Sequence, residues 1–160
     1  MNTREHFVKV FQDEKPRFVR VLQAVPSDRA TYRPHEKSAT AGSLVWLLAS
    51  ELSDACKVVD RGEIDFTMQP EPSVREAIAA YERNAGELEK RVTKLDDTAW
   101  GRTARFKVDG KVHWEAPLGD MLWGFLFDAI HHRGQLSTYL RPMGAKVPSI
   151  YGPSGDDPGM

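Results

Sequence analysis

The chain has almost no cysteine, no block of one charge and no long apolar run, and each absence excludes something. The single cysteine, Cys56, rules out an internal disulfide. Lone thiols fit a reducing cytoplasm, and the apolar-periodic segment around Cys56 predicts buried packing for it. No apolar stretch reaches the roughly 18–20 residues that a membrane span needs. The longest candidate, MLWGFLFDAI, is short and carries Asp128. The opening MNTREHFVKVFQDEKPRF lacks the apolar run of a signal peptide. Lysine and arginine number 22 against 23 aspartates and glutamates, a net charge of −1. Without clustered positive charge there is no electrostatic footprint for nucleic acid. A Gly-rich phosphate loop, a Cys-x-x-Cys pair and a Gly-x-Ser-x-Gly elbow are also missing. These absences predict a cytoplasmic protein without membrane or nucleic-acid partners.

What is present is helical patterning. A chain of 160 residues, 41% hydrophobic, predicts one domain over residues 1–160 with a substantial core. Phe7, Phe11, Phe18 and Leu22 keep helical spacing and predict a first helix from Thr3 to Ala24. Pro16 lies inside it and predicts a kink or a division. VPSDRATYRPHEKSAT then reads as a loop. A second helix begins near Thr40, a good N-cap, carries Leu44, Leu48, Leu52 and Val59 inward, and stops at Arg61-Gly62. GEIDFTMQPEP reads as a connection. A third helix opens on the capping box Ser73–Glu76, with Glu87 and Arg91 spaced for a surface ion pair. Phe106 and Val108, then Asp109-Gly110, then Val112 and Trp114 predict a short β-hairpin. A fourth helix runs from Pro117 or Leu118 to Leu140, stopped by Pro142 and Gly144. Four prolines or glycines among the last eight residues predict an extended tail. The fold class is all-α: a four-helix bundle with a β-hairpin between helices three and four.

Two helices carry polar residues where apolar ones belong. Met121, Phe125, Asp128, His132, Gln135 and Tyr139 fall at steps of three and four on one face of the last helix. Glu51 interrupts the buried stripe of the second, four after Leu47. A carboxylate in a helix core is costly unless paired or metal-bound, and carboxylates with imidazole projecting inward are how helical metal sites are built. A bland alternative is open on spacing alone. Asp128 could pair with Arg133 or Arg141, His132 could bond a backbone carbonyl, and Glu51 could reach water at the stripe's edge. His131 points about 100° away from His132 on an ideal helix, behind the site or at the surface. His6, His35 and His113 read as surface residues, and Trp46, Trp100, Trp114 and Trp123 as core or rim packing.

His132-Arg133-Gly134-Gln135-Leu136, followed by Tyr139-Leu140-Arg141 and Gly144, resembles the last helix of the DinB-like family of four-helix-bundle metalloproteins. The Tyr32-Arg33-Pro34 loop, the Thr40–Glu51 helix start and the closing Val147-Pro148-x-Ile150-Tyr151-Gly152 extend the resemblance over most of the chain. It implies a bundle with long crossovers, frequently dimeric, and a divalent zinc or nickel held by three histidines. The last of those matches His132. The one four residues earlier falls on Asp128, and the first falls on Leu47, which cannot ligate; Glu51, one turn further, can substitute. A set of Glu51, Asp128 and His132 is more oxygen-rich and moves preference toward manganese, iron or a weakly held zinc.

The resemblance favours the metal reading and implies a metal-dependent enzyme, a thiol S-transferase or a related hydrolase or isomerase. A low-molecular-weight thiol would be the cosubstrate and a small molecule the substrate. Gln135 and Tyr139 would orient substrate and His131 would shuttle a proton. The competing reading is a non-catalytic homodimeric bundle with a degenerate site, supported by Leu47. DNA binding is suggested only by the family's name, and the charge balance gives it no support.

Overall fold

The apolar stripes become helices within about a residue of their expected ends in a computed structural model, which describes residues 3–159. Helix α1 covers Thr3–Gln23, α2 covers Ala41–Arg61 and α3 covers Val74–Thr93. A short α4, Asp97–Gly101, precedes the last helix, α5, Leu118–Leu140. Each long helix packs on two others, in the order α1, α3, α2, α5 and back to α1. The four-helix bundle is therefore as expected, with α5 the predicted fourth helix.

Local signals explain the boundaries. Thr40 Oγ1 accepts from Ser43 N at 3.1 Å and starts α2, while Gly62 (φ 78°) ends it in the left-handed region. Ser73 and Glu76 exchange hydrogen bonds as a capping box. Leu48, Leu122, Leu136 and Tyr81 are fully or almost fully buried between the helices. Each such leucine contributes about 1.5–3 kcal/mol relative to exposure. Cys56 is buried too. Glu87 and Arg91 pair at 2.7 Å, as their spacing predicts.

Four expectations need correction. α1 runs as one helix through Pro16, which is exposed on its outer side, so of the kink and the division that the proline predicted the division is not made. Asp96 caps α4 through Ala99 N at 2.7 Å, adding a helix to the predicted four. Residues 63–66, expected as a connection, form β1 (Glu63–Phe66), which pairs in parallel with β2 (Thr103–Val108). β2 in turn pairs antiparallel with β3 (Lys111–Pro117) across the predicted Asp109-Gly110 turn, where both residues have positive φ. A parallel pair needs a long crossover, and α3 with α4 supplies it. The tail is folded back rather than extended: Asp156 accepts from Val147 N and Arg141, and Asp157 accepts from Ser149 N and Gly159 N.

The tail closes over a buried ionic centre. Arg133 on α5 pairs with Glu14 on α1 at 2.5 Å, and both side chains are almost completely enclosed. Tyr151 from the tail donates to Glu14 at 2.9 Å and accepts from Arg133 at 2.6 Å. The Arg133 guanidinium also lies over the Phe18 ring, 4.4 Å from its centroid. Arg141 is held by Asp156. Both arginines considered as partners for Asp128 are thus engaged elsewhere.

Candidate metal centre

Glu51, Asp128 and His132 come together where α2 meets α5. One ligand atom of each lies within 4.8 Å of the others. Three donors at 2.0–2.2 Å from a tetrahedral cation stand about 3.4 Å apart, so a small inward movement completes the set. Asp128 is half exposed and free to make it.

Each side chain is placed by its own neighbours. Glu51 sits between the buried Leu48 and Leu52, so the stripe that folds α2 carries it inward. Its Oε2 is buried without a hydrogen-bond partner among the described residues. Burial pushes its pKa up to about 9, with the adjacent Asp128 carboxylate and then Asp54 adding to the rise. His132 Nε2 lies 3.2 Å from Asp128 Oδ2, and its Nδ1 lies 2.8 Å from Gln135 Oε1. With Nδ1–H donating to Gln135, the Nε2 lone pair faces Asp128 and is available to a cation.

An unpartnered buried carboxylate oxygen, a second carboxylate facing it and an oriented imidazole suit a divalent cation. Two negative charges and one neutral nitrogen favour hard or borderline ions such as manganese, iron or zinc. The cation would also offset the burial, and the lesser repulsion from Asp128, that keep Glu51 protonated.

A pH effect follows for the metal-free protein. Between about pH 4.5 and 9 the folded chain keeps the Glu51 proton that the unfolded chain has released, so stability falls as pH rises through that window. Glu51→Gln removes the titration. In chelator, it is expected to flatten the dependence of unfolding free energy on pH and to be more stable than the parent at pH 8–9 by on the order of a few kcal/mol. Parallel curves for the two proteins would show that Glu51 is not held protonated.

The remaining candidates are placed differently. Gln135 belongs to the site through His132. His131 is exposed, its ring 5.3 Å from that of His132, outside the trio. Tyr139 is buried, donates to Ala39 O at 3.3 Å and packs edge-on against Tyr32. It holds the loop before α2 and does not line the pocket described next. His6, His35 and His113 are exposed, as expected.

That pocket, about 320 Å³, opens beside the trio and is lined by Glu51 and Asp128, by Leu47 and by Phe66, Phe106, Trp114 and Phe125. Its aromatic side had no signature in the sequence. Trp114 and Phe106 read as alternating strand residues, and Phe66 fell in an expected loop.

A helical bundle with carboxylates and an imidazole converging from two helices is the class that this fold and site define. The chain belongs to the DinB family, which it matches over residues 1–158. It is 23% identical to the uncharacterized protein YrdA of Bacillus subtilis, over 97% of this chain and 92% of that one. Its fold is similar to that of a DinB-like protein from Bacillus cereus (TM-score 0.76, 18% identity, 92% of this chain and 97% of that one). It is also similar to that of a DinB-like protein from Bacillus subtilis (TM-score 0.70, 18% identity, 88% and 93%). A mycothiol-dependent maleylpyruvate isomerase shares the fold at a TM-score of 0.56 and 14% identity, covering 92% of this chain and 63% of that longer one. Among the described residues, no helix is long and apolar enough to cross a membrane.

Proposed function

We propose that the protein holds a divalent cation with Glu51, Asp128 and His132 and acts on a small molecule with a low-molecular-weight thiol as cosubstrate. The observation that carries the cation site is Glu51 Oε2, buried without a partner and facing a second carboxylate. As a carboxylate such a group is costly to keep unless a cation neutralises it; without one it stays protonated beside Asp128, with which it shares a hydrogen bond. A cation bound by three side chains keeps positions open and supplies Lewis acidity that lowers the pKa of a water or thiol. Gln135 fixes the His132 ring, and the exposed His131 beside it is placed to exchange protons with solvent.

The thiol must come from outside the chain. Cys56 is buried, and desolvation pushes its thiol up to about 11, so it holds little thiolate at neutral pH. The fold shared with a mycothiol-dependent isomerase supports thiol chemistry. A reducing cytoplasm suits both the lone thiol and such a cosubstrate.

Metal content by plasma mass spectrometry tests this reading, with Asp128→Ala alongside; thiol consumption with candidate electrophiles follows. Leu47, which lines the pocket where the family resemblance expects a histidine, favours a second reading: a non-catalytic bundle with a decayed site. In that case chelator leaves the melting temperature unchanged.

We also propose a homodimer. Phe127 is 62% exposed and stacks on Trp123, which contacts His6 on α1. This apolar face of α1 and α5 suits a second copy. Sedimentation of the parent should give a dimer, and Phe127→Glu a monomer; a monomeric parent would dispose of the proposal.

A further inference from the structure

We infer that the pocket between the sheet and α5 is a subsite for the body of an uncharged aromatic small molecule, held by Phe66, Phe106, Trp114 and Phe125 with its reactive end toward Glu51 and Asp128. The four rings form one chain. Phe66 stacks on Phe106 at 6.0 Å, Phe106 meets Phe125 edge-on at 6.3 Å, and Trp114 meets Phe125 edge-on at 6.1 Å. Phe66, Phe106 and Phe125 are half-buried and Trp114 is exposed, although they line a concavity of ligand size. Partly wet aromatic rings around a hollow gain by covering one another's open faces with a further ring.

The polar lining decides the charge of the occupant. Among the described residues, no lysine or arginine lines this pocket. An anionic group would find no cationic side chain there and would face Glu51, Asp54 and Asp128. Asp54 is already paired with Lys57 at 2.9 Å. The inference rests on the cation-site reading in one respect: a divalent ion cancels the charges of Glu51 and Asp128. What is left is an aromatic-walled cup without net charge: its rings would attract an organic cation, the divalent ion beside them would repel it, and a neutral ring meets no such repulsion.

Gly124 is the positioning residue for this subsite. A Cβ there would lie 2.3 Å from Trp114 Cη2 and 3.1 Å from Cζ2. The missing side chain lets the indole lie against the α5 backbone. Any substitution pushes it off α5 and changes the shape of the cup. Alanine is a better helix former than glycine, so Gly124→Ala alters the pocket without weakening the helix itself.

The test is calorimetric titration of metal-supplemented protein with 2-naphthalenemethanol and with its matched cation, (2-naphthylmethyl)trimethylammonium. Metal content is measured on the same samples. The neutral probe is expected to bind at one site, and the cation no more tightly. Trp114→Ala and Gly124→Ala should each weaken the neutral probe roughly tenfold or more, with melting curves and metal content close to the parent's. Trp114→Leu provides a second, apolar replacement. Saturable binding by protein that holds no metal would uphold the subsite while removing the cation site. The inference is overturned by metal-loaded protein that binds no neutral probe, by unchanged affinity in both Trp114→Ala and Gly124→Ala, or by tighter binding of the cation.

Discussion

Asp128→Ala protein, produced with manganese, iron, nickel and zinc supplied, is expected to retain no stoichiometric metal, while the parent retains close to one equivalent. Asp128 is the cleanest position at which to ask. Its side chain is 52% exposed, so truncation opens no cavity, and the contact it gives up on α5 is the one to the part-buried His132. Surface changes of that kind usually move stability by no more than about 0.5 kcal/mol. The site, by contrast, loses one of only three protein ligands. Removing an outer partner of a ligand typically costs about 10–100-fold in metal affinity. Gln135→Ala falls in that range, and loss of a ligand itself exceeds it. The same linkage predicts the parent's response to chelator. A cation at a hundred times its dissociation constant stabilises by about 2.7 kcal/mol, or roughly 5–10 °C for a chain of this size. Asp128→Ala should lose that increment in advance and show no further shift. Equal metal in parent and variant would remove Asp128 from the ligand set.

The largest effect on stability is expected far from the trio, at Arg133. Arg133→Met leaves Glu14 enclosed with one of its partners gone, and breaking a buried pair on one side costs about 3–5 kcal/mol. That corresponds to a fall of roughly 6–20 °C in melting temperature. Much of the loss is the penalty on the abandoned carboxylate, so the double variant Glu14→Gln/Arg133→Met should recover a large part of it. Thermal melts of the parent, both single variants and the double variant measure the coupling directly. If Arg133→Met melts within about 2 °C of the parent, the pair is not a structural anchor.

The helices were legible because each is encoded locally. Thr40, Ser73 with Glu76, and Gly62 announce ends, and the Phe7–Phe11–Phe18 and Leu44–Leu48–Leu52 stripes announce faces. The hairpin was legible for the same reason, from Asp109-Gly110. The trio could be read because Glu51, Asp128 and His132 break apolar stripes. β1 could not, because its four residues acquire strand geometry only from β2, which reaches them across α3 and α4. α4 was hidden by its length, a single capped turn. Glu14 carried a usable signal: it stands three after Phe11 and four before Phe18, a carboxylate in a buried stripe just as Glu51 is. Nothing local indicated that its partner would be Arg133, since that pairing depends on how α1 and α5 meet. The aromatic cup is harder still, because its rings come from β1, β2, β3 and α5.

Glu14 also constrains when the chain can finish folding. Arg17, one turn away, holds one carboxylate oxygen as soon as α1 forms. The other oxygen waits for Arg133, 119 residues later, and for Tyr151, 137 residues later. On a ribosome that polymerises about 5–20 residues per second, α1 through α3 are exposed for several seconds before the residues that cover Glu14 have been made. Contacts this distant in sequence come late in folding. Glu14 is therefore held by Arg17 alone until α5 and the tail arrive, and its enclosure is among the last contacts to form.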